Sequence, residues 1–180
     1  MPDDRQMDDR QLWERIRQGD AQAFDEFYRQ HATRLEVFLR HLVGHRQAAE
    51  DIMQETFTHI WGRPNGFHPE RGTLRAYLFG IGRKRAAEWW RKQGPTTTGT
   101  ESDVTLVCTE NTPAMEDAFR RLPEEQRSLL WLREVEGQSY AELAETLEIP
   151  VGTVRSRLFA AREALRKIWQ SPRPQMKEGA

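Results

Sequence analysis

The chain has 180 residues, 37% of them hydrophobic, and a formal net charge of −1. That length suits two small cores better than one large one. No apolar run approaches the roughly 18 residues of a membrane span, and the N-terminus MPDDRQMDDR is acidic where a signal peptide would be basic, so no membrane insertion and a cytoplasmic protein are expected. The single cysteine, Cys108, excludes an internal disulfide framework and suits a reducing compartment.

In chain order, Met1 to Arg10 reads as a loose polar arm, and Leu12, Trp13 and Ile16 as a short apolar helix face ending at Gly19. Asp20 is a candidate N-cap for a long helix that buries Phe24, Phe27, Tyr28, Leu35, Phe38, Leu39 and Leu42 and stops at Gly44. A third helix is expected from about Arg46 to Trp61, with Ala49, Ile52, Met53, Phe57 and Ile60 inward and Glu50, Asp51, Gln54 and Glu55 outward. Carboxylates in its first turns also suit simple macrodipole electrostatics. The stretch GRPNGFHPERG, from Gly62 to Gly72, is too rich in glycine and proline for helix and holds one large apolar residue, Phe67. Thr73 then caps a fourth helix through Arg91 or Lys92, packed through Leu74, Tyr77, Leu78, Ile81, Ala86 and Trp89. Gly80 and Gly82 each cost about 1 kcal/mol against alanine in a helix, so tertiary contacts must hold it. Arg83-Lys84-Arg85 with Trp89-Trp90 close behind puts cations beside flat rings, which suits single-stranded nucleic acid; the simpler alternative is two core tryptophans.

From Gly94 to Thr112 the helical period gives way to threonine and glycine, the composition of a flexible linker, with Val104 to Val107 an extended run that has no partner strand. Thr112-Pro113 reopens helix, with Met115, Ala118 and Phe119 apolar. Another helix starts at Leu122-Pro123 and packs Leu129, Leu130, Leu132 and Val135 before Gly137. Ser139 and Glu142 have the spacing of a capping box, and Tyr140, Leu143, Ala144 and Leu147 make one apolar face. Pro150 ends that helix, and Gly152 and Thr153 supply a corner and a second start. Beyond it Val154, Leu158, Ala161, Leu165 and Ile168 form an inward stripe, while Arg155, Phe159, Arg162 and Arg166 gather on another, with Ser156 beside them and Arg157 on the flank. A short capped helix, a sharp corner and an arginine-studded second helix have the form of a helix-turn-helix that enters a DNA major groove. Arginine suits that task because its planar fork pairs with guanine edges or phosphates two bonds at a time. For such a stripe alone the alternative is a solvated face on a bundle helix. From Ser171 the tail reads as frayed.

Charge is unevenly placed. Seven basic residues face one acidic residue between Arg71 and Gln93, and again between Pro150 and Lys177, whereas the stretches before each are acidic. Two separate footprints for a polyanion follow, with acidic surface left for a protein partner.

These segments resemble a family. SYAELAETLEIPVGTVRSRLFAAREAL, led by LPEEQRSLLWLREVEGQSY, is similar to the second DNA-binding domain of bacterial sigma-70-type factors of the compact extracytoplasmic-function group. AFDEFYRQHATRLEVFL, AEDIMQETFTHIW and FHPERGTLRAYLFGIGRKRAAEWWRK resemble the first core helix, polymerase-binding helix and promoter-melting segment of the other domain. The resemblance implies an all-α chain of two small helical domains, 11–93 and 113–170, joined by a flexible linker over 94–112, with no third domain between them. It implies a promoter-specificity subunit with no chemistry and no cofactor of its own. Its partners are then promoter DNA and a coiled coil of the RNA polymerase large subunit, and an inhibitory anti-sigma protein is common in the family. Carried onto this chain, Asp51, Gln54 and Glu55 would hold the polymerase, with Ile52 and Phe57 shaping that surface. Asn65, Phe67, His68 and Arg71 would capture a flipped minus-ten base, with Arg83, Lys84 and Arg85 on the strand backbone. Arg155, Ser156, Phe159 and Arg162 would read the minus-thirty-five groove, with Tyr140, Thr153 and Arg157 steadying phosphates. Two departures stand out: Lys84 replaces a customary asparagine and Glu88 a customary aspartate, and a lysine can only donate where an amide also accepts.

Two other readings compete. A stand-alone helix-turn-helix regulator would leave the Gly62 to Gly72 loop and the basic-aromatic fourth helix without a task. An enzyme or metal centre has only His41 and His45, four apart, with Gly44 breaking the helix between them and no nearby carboxylate or cysteine to complete a site.

Overall fold

The computed structural model describes residues 4–63, 65–93 and 113–170. They form α1 (Asp4–Arg17), α2 (Ala21–Val43), α3 (Arg46–Trp61), α4 (Leu74–Gln93), α5 (Pro113–Arg120), α6 (Glu124–Leu130), α7 (Tyr140–Leu147) and α8 (Val151–Gln170), with a π-helical turn, Trp131–Val135, prolonging α6. No strand occurs among the described residues, as the helical periodicity requires. The linker 94–112, with Val104 to Val107 and Cys108, and the tail from Ser171 lie outside them.

The first four helices fold around the residues their spacing selects. Asp20 caps α2 by accepting from the amides of Gln22 and Ala23 at 2.9 and 3.1 Å, and Gly44 closes it in the left-handed conformation. Leu35, Phe38 and Leu39 of α2, Ile60 of α3 and Leu74, Leu78 and Phe79 of α4 are fully buried, each worth about 1.5–3 kcal/mol of transfer free energy. Phe79, which the sequence reading left out of the core, packs its ring 5.3 Å from Phe38. The expected loose arm is helical instead, starting at Asp4. The reason lies across the fold: the Asp9 carboxylate accepts from the Leu74 amide at 2.9 Å, capping an N–H that α4 cannot satisfy internally.

The later helices build the second unit. Both bonds of the capping box form: the Glu142 amide donates to the Ser139 hydroxyl at 3.2 Å and the Ser139 amide to the Glu142 carboxylate at 2.8 Å. The corner lies earlier than the sequence suggested. Glu148, at φ 54°, takes the left-handed position, and the Pro150 carbonyl accepts from the amides of Thr153 and Val154 at 2.9 and 3.1 Å. Gly152 and Thr153 therefore lie inside the first turn of α8, and the proline precedes the second helix where its missing N–H costs nothing.

The two units are not separate bodies. Their buried residues form one contiguous core, and α7 lies along α4. Gly80 permits this approach, since a Cβ there would sit 3.2 Å from the Thr146 carbonyl oxygen. At the other end His41 of α2 stacks on Trp131 with ring centroids 4.1 Å apart and meets Phe119 at 6.0 Å. Burial, reinforced by Arg127, Arg120 and Arg40 and opposed by the hydrogen bond to the Val37 carbonyl, lowers the His41 pKa to about 4. The unfolded chain binds that proton near pH 6.5, so the neutral ring contributes stability above 6.5 that is lost as pH falls toward 4. Between those limits the urea midpoint of the natural chain should fall further than that of His41→Phe, which keeps the stack without a titrating group; parallel profiles would show that His41 does not titrate on unfolding.

Candidate nucleic-acid interface

The outward face of α8 is organised by residues of its neighbours. Phe159 is 70% exposed, a large apolar ring held in solvent one turn beyond Arg155. The Arg155 guanidinium lies 5.9 Å from the centroid of the Tyr140 ring, which a second guanidinium, Arg133, approaches at 5.1 Å. Arg162 donates to Glu134 at 2.7 Å, and that bond, assisted by one to Tyr140, raises its pKa further. Ser156 donates back to the Thr153 carbonyl at 3.0 Å, and Arg157 lies 3.9 Å from Glu125 on the flank. Arg155, Phe159 and Arg162 thus share the open side, with Tyr140 and Glu134 setting the angle of the two guanidiniums. Glu134 escaped the sequence reading because its partner is 28 residues away, beyond any helical spacing.

The basic segment of α4 is divided rather than gathered. Arg83 lies close enough to Glu124 of α6 to oppose the rise that burial imposes on that carboxyl's pKa. Lys84 donates to Glu148 at 2.6 Å. Arg85 points the other way, to Glu55 at 2.9 Å and the His59 ring at 3.1 Å. The loop before α4 is similarly divided. Asn65, His68 and Arg71 are exposed, with His68 3.4 Å from Glu70. Phe67 is instead an interior anchor, 6% exposed, edge-on to Trp13 at 5.4 Å and 5.5 Å from Tyr77, so its ring is closed to a base. The aromatic that borders the cleft is Tyr77, half-buried, with its hydroxyl against Gly66, where a Cβ would overlap it at 2.3 Å. Helical spacing alone places Tyr77 in the packing face of α4. The cleft, about 630 Å³, is lined by Phe67, His68, Arg71, Tyr77 and Lys84 on one side and by Glu145, Glu148 and Pro150 on the other. Trp89 and Trp90 lie apart from it, edge-on at 4.9 Å, and the Trp90 indole donates to the Leu42 carbonyl at 3.1 Å, bracing α4 on α2.

On α3 the exposed Asp51, Gln54 and Glu55 line a shallow depression with Thr58, His59 and Arg85, while Ile52 and Phe57 lie beneath at 4% and 3% exposure. Beside it runs a groove of about 450 Å³ lined by Val43, Ala48, Ile52, Trp89 and Trp90, an apolar trough whose rim carries both acids (Asp51, Glu55, Glu88) and bases (Arg85, Lys92). No cluster of histidine, cysteine or carboxylate side chains suited to a metal occurs among the described residues.

Comparison with known proteins assigns both units. Residues 113–165 match the family model "Sigma-70, region 4" and residues 27–96 the model "Sigma-70 region 2". The chain is 29% identical to the RNA polymerase sigma-H factor of Pseudomonas aeruginosa, covering 92% of this chain and 95% of that one. It is 30% identical to the ECF RNA polymerase sigma-E factor of Haemophilus influenzae, over 89% of this chain and 94% of the relative. Among solved structures the fold is shared with CnrH in complex with the cytosolic domain of CnrY (TM-score 0.71, 24% identity, 89% of this chain and 96% of that one). It is shared also with the sigma factor RpoE bound to the anti-sigma factor NepR from Bartonella quintana (TM-score 0.69, 23% identity, 83% and 98%). The helix-turn-helix with its arginine face and the four-helix unit before it are therefore regions 4 and 2 of one chain, which belongs to the extracytoplasmic-function RNA polymerase sigma factors, promoter-recognising subunits of the transcription enzyme.

Proposed function

We propose that α8 reads the minus-thirty-five element, that the Gly62 to Gly72 loop with α4 takes the opened minus-ten strand, and that the acidic face of α3 docks on the coiled coil of the polymerase large subunit. The observation that carries this reading is the outward set of Arg155, Phe159 and Arg162 on a helix whose other stripe is buried. Two guanidiniums and an apolar ring match what a major groove offers, acceptors on guanine and a methyl on thymine. Thr153, Ser156 and Arg157, on the same turns, and Tyr140 suit phosphate or positioning roles. Asp51, Gln54 and Glu55 form a compact acidic patch above an apolar floor, suited to a basic helical partner. In the first unit Asn65, His68 and Arg71 are the exposed donors near the cleft, and Tyr77, rather than Phe67, offers the ring beside it. Lys84 donates where an amide would also accept, so the cleft favours a base edge rich in acceptors.

The chain acts in the cytoplasm, without catalysis or cofactor of its own; among the described residues no helix is long and apolar enough to cross a membrane. An anti-sigma protein belongs to the reading as well, supported by the two partner-bound proteins of the same fold. Transcription in vitro with core polymerase on a randomised promoter library tests the whole assignment: selected start sites support it, and none would defeat it.

Arg155→Ala should weaken binding to the preferred duplex by about 1–3 kcal/mol, concentrated at one or two base pairs. Competition with single-substituted duplexes checks this, and an equal loss on every sequence would make Arg155 a phosphate contact. Asp51→Ala with Glu55→Ala should abolish initiation while shifting thermal stability by no more than about 1 kcal/mol, because exposed ion pairs contribute little. Unimpaired initiation would move the polymerase surface elsewhere.

A further inference from the structure

We propose that Glu134, which stands off the recognition helix, is a specificity-determining residue: its carboxylate holds Arg162 in one pose for base reading and lowers affinity for unrelated duplex. This deepens the reading of α8 as the minus-thirty-five helix and rests on it.

The residue owes its place to the π-helical turn. Trp131 and Leu132 are buried and anchor that turn, and the Glu136 amide donates to the Trp131 carbonyl at 3.1 Å, a bond that spans five residues where an α-helix spans four. Arg133 and Glu134 then emerge beside α7 and α8. The Arg133 guanidinium donates to the Gln138 carbonyl at 2.7 Å and lies 5.1 Å from the centroid of the Tyr140 ring. Glu134 accepts from Arg162 at 2.7 Å, and Arg162 is also bonded to the Tyr140 hydroxyl. Arg155 meets the same ring at 5.9 Å. Three guanidiniums gather around one tyrosine, and in these contacts Glu134 supplies the carboxylate that offsets their mutual repulsion.

Stability does not account for the pair. The Arg162 and Glu134 side chains are 50% and 55% exposed, and an ion pair so open to water contributes little to folding. Affinity does not account for it either, because a carboxylate among the arginines of a DNA-facing helix repels phosphates on every sequence alike. What the pair supplies is orientation. An unrestrained arginine can turn its fork to a phosphate or to either of two neighbouring bases and gains affinity on any duplex by doing so. Held by Glu134 and Tyr140, Arg162 keeps its remaining N–H groups for a bidentate bond to guanine in a plane set before DNA arrives. Pre-organisation spares the entropy cost on the right base and denies the alternative poses on the wrong one. When duplex closes over this face and excludes water, the lower dielectric strengthens the same ion pair. Tyr140 becomes a positioning residue for both arginines, its ring for Arg155 and its hydroxyl for Arg162.

Holoenzyme reconstituted from the full chain and core polymerase tests this, challenged with duplexes singly substituted through the minus-thirty-five element and with an unrelated duplex. Arg155→Ala and Arg162→Ala first locate the base pairs that each arginine reads. Glu134→Ala should cut discrimination about 10-fold at the Arg162 base pair while the unrelated duplex binds as tightly as before or more so. Glu134→Gln, which keeps an acceptor without the charge, should recover part of that discrimination. Tyr140→Phe should lose discrimination at the Arg162 pair and spare the Arg155 pair, whereas Tyr140→Leu should loosen both. A residue that merely kept the domain folded would weaken every duplex together. Unchanged discrimination in Glu134→Ala, or an equal loss on all duplexes, overturns the proposal, as does an Arg162→Ala profile without a base-pair-specific loss. An unsubstituted holoenzyme indifferent to every minus-thirty-five substitution would instead remove the reading of α8 on which the proposal stands.

Discussion

Glu142 is the contact on which the arrangement turns. Its carboxylate closes the capping box of α7 by accepting from the Ser139 amide, and the same group accepts from Arg75 and Thr73 of the first unit. Burial pushes its pKa up, but the Ser139 amide, Arg75 and Thr73 together hold it below the ordinary carboxylate value. A residue whose local duty is to start one helix thereby fastens that helix to α4, whose own first turn is capped by Thr73 and Asp9. Helix initiation and domain docking draw on one charge.

The formal net charge of −1 conceals this design. The basic segment of α4 meets acids from three directions: Glu124 and Glu148 from the second unit, and Glu55 from α3. Across the helix-turn-helix, Glu134 and Glu125 similarly attend Arg162 and Arg157. At these cations a phosphate must displace a carboxylate already in place. Arg155, held over the Tyr140 ring, and Phe159 face outward on α8 without a carboxylate partner in these contacts.

Family resemblance and physical reading support one another unevenly. The region 2 and region 4 assignments rest on whole segments, and relatives match across nearly the full chain. Individual residues are less transferable. Phe67 illustrates why: a lone aromatic in a polar loop looks available for stacking, yet this one anchors the loop between Trp13 and Tyr77. Tyr77, half-buried on α4, borders the cleft while its ring also packs on Trp13 and Phe67.

The sequence by itself determined the helices, most of their caps, the two-unit division and the inward and outward stripes of α8, because these depend on local hydrogen bonding and on a period of about 3.6 residues. Asp20, Gly44, Thr73, Ser139 and Glu142 all perform locally what their spacing requires. Only the tertiary structure decided that residues 4–10 join a helix, that the left-handed corner falls on Glu148, that Phe67 is buried while Tyr77 borders the cleft, and that the two units share one core. Each of those outcomes depends on partners distant in the chain, such as Asp9 with Leu74 and Lys84 with Glu148, and no periodicity connects residues separated by more than 60 positions.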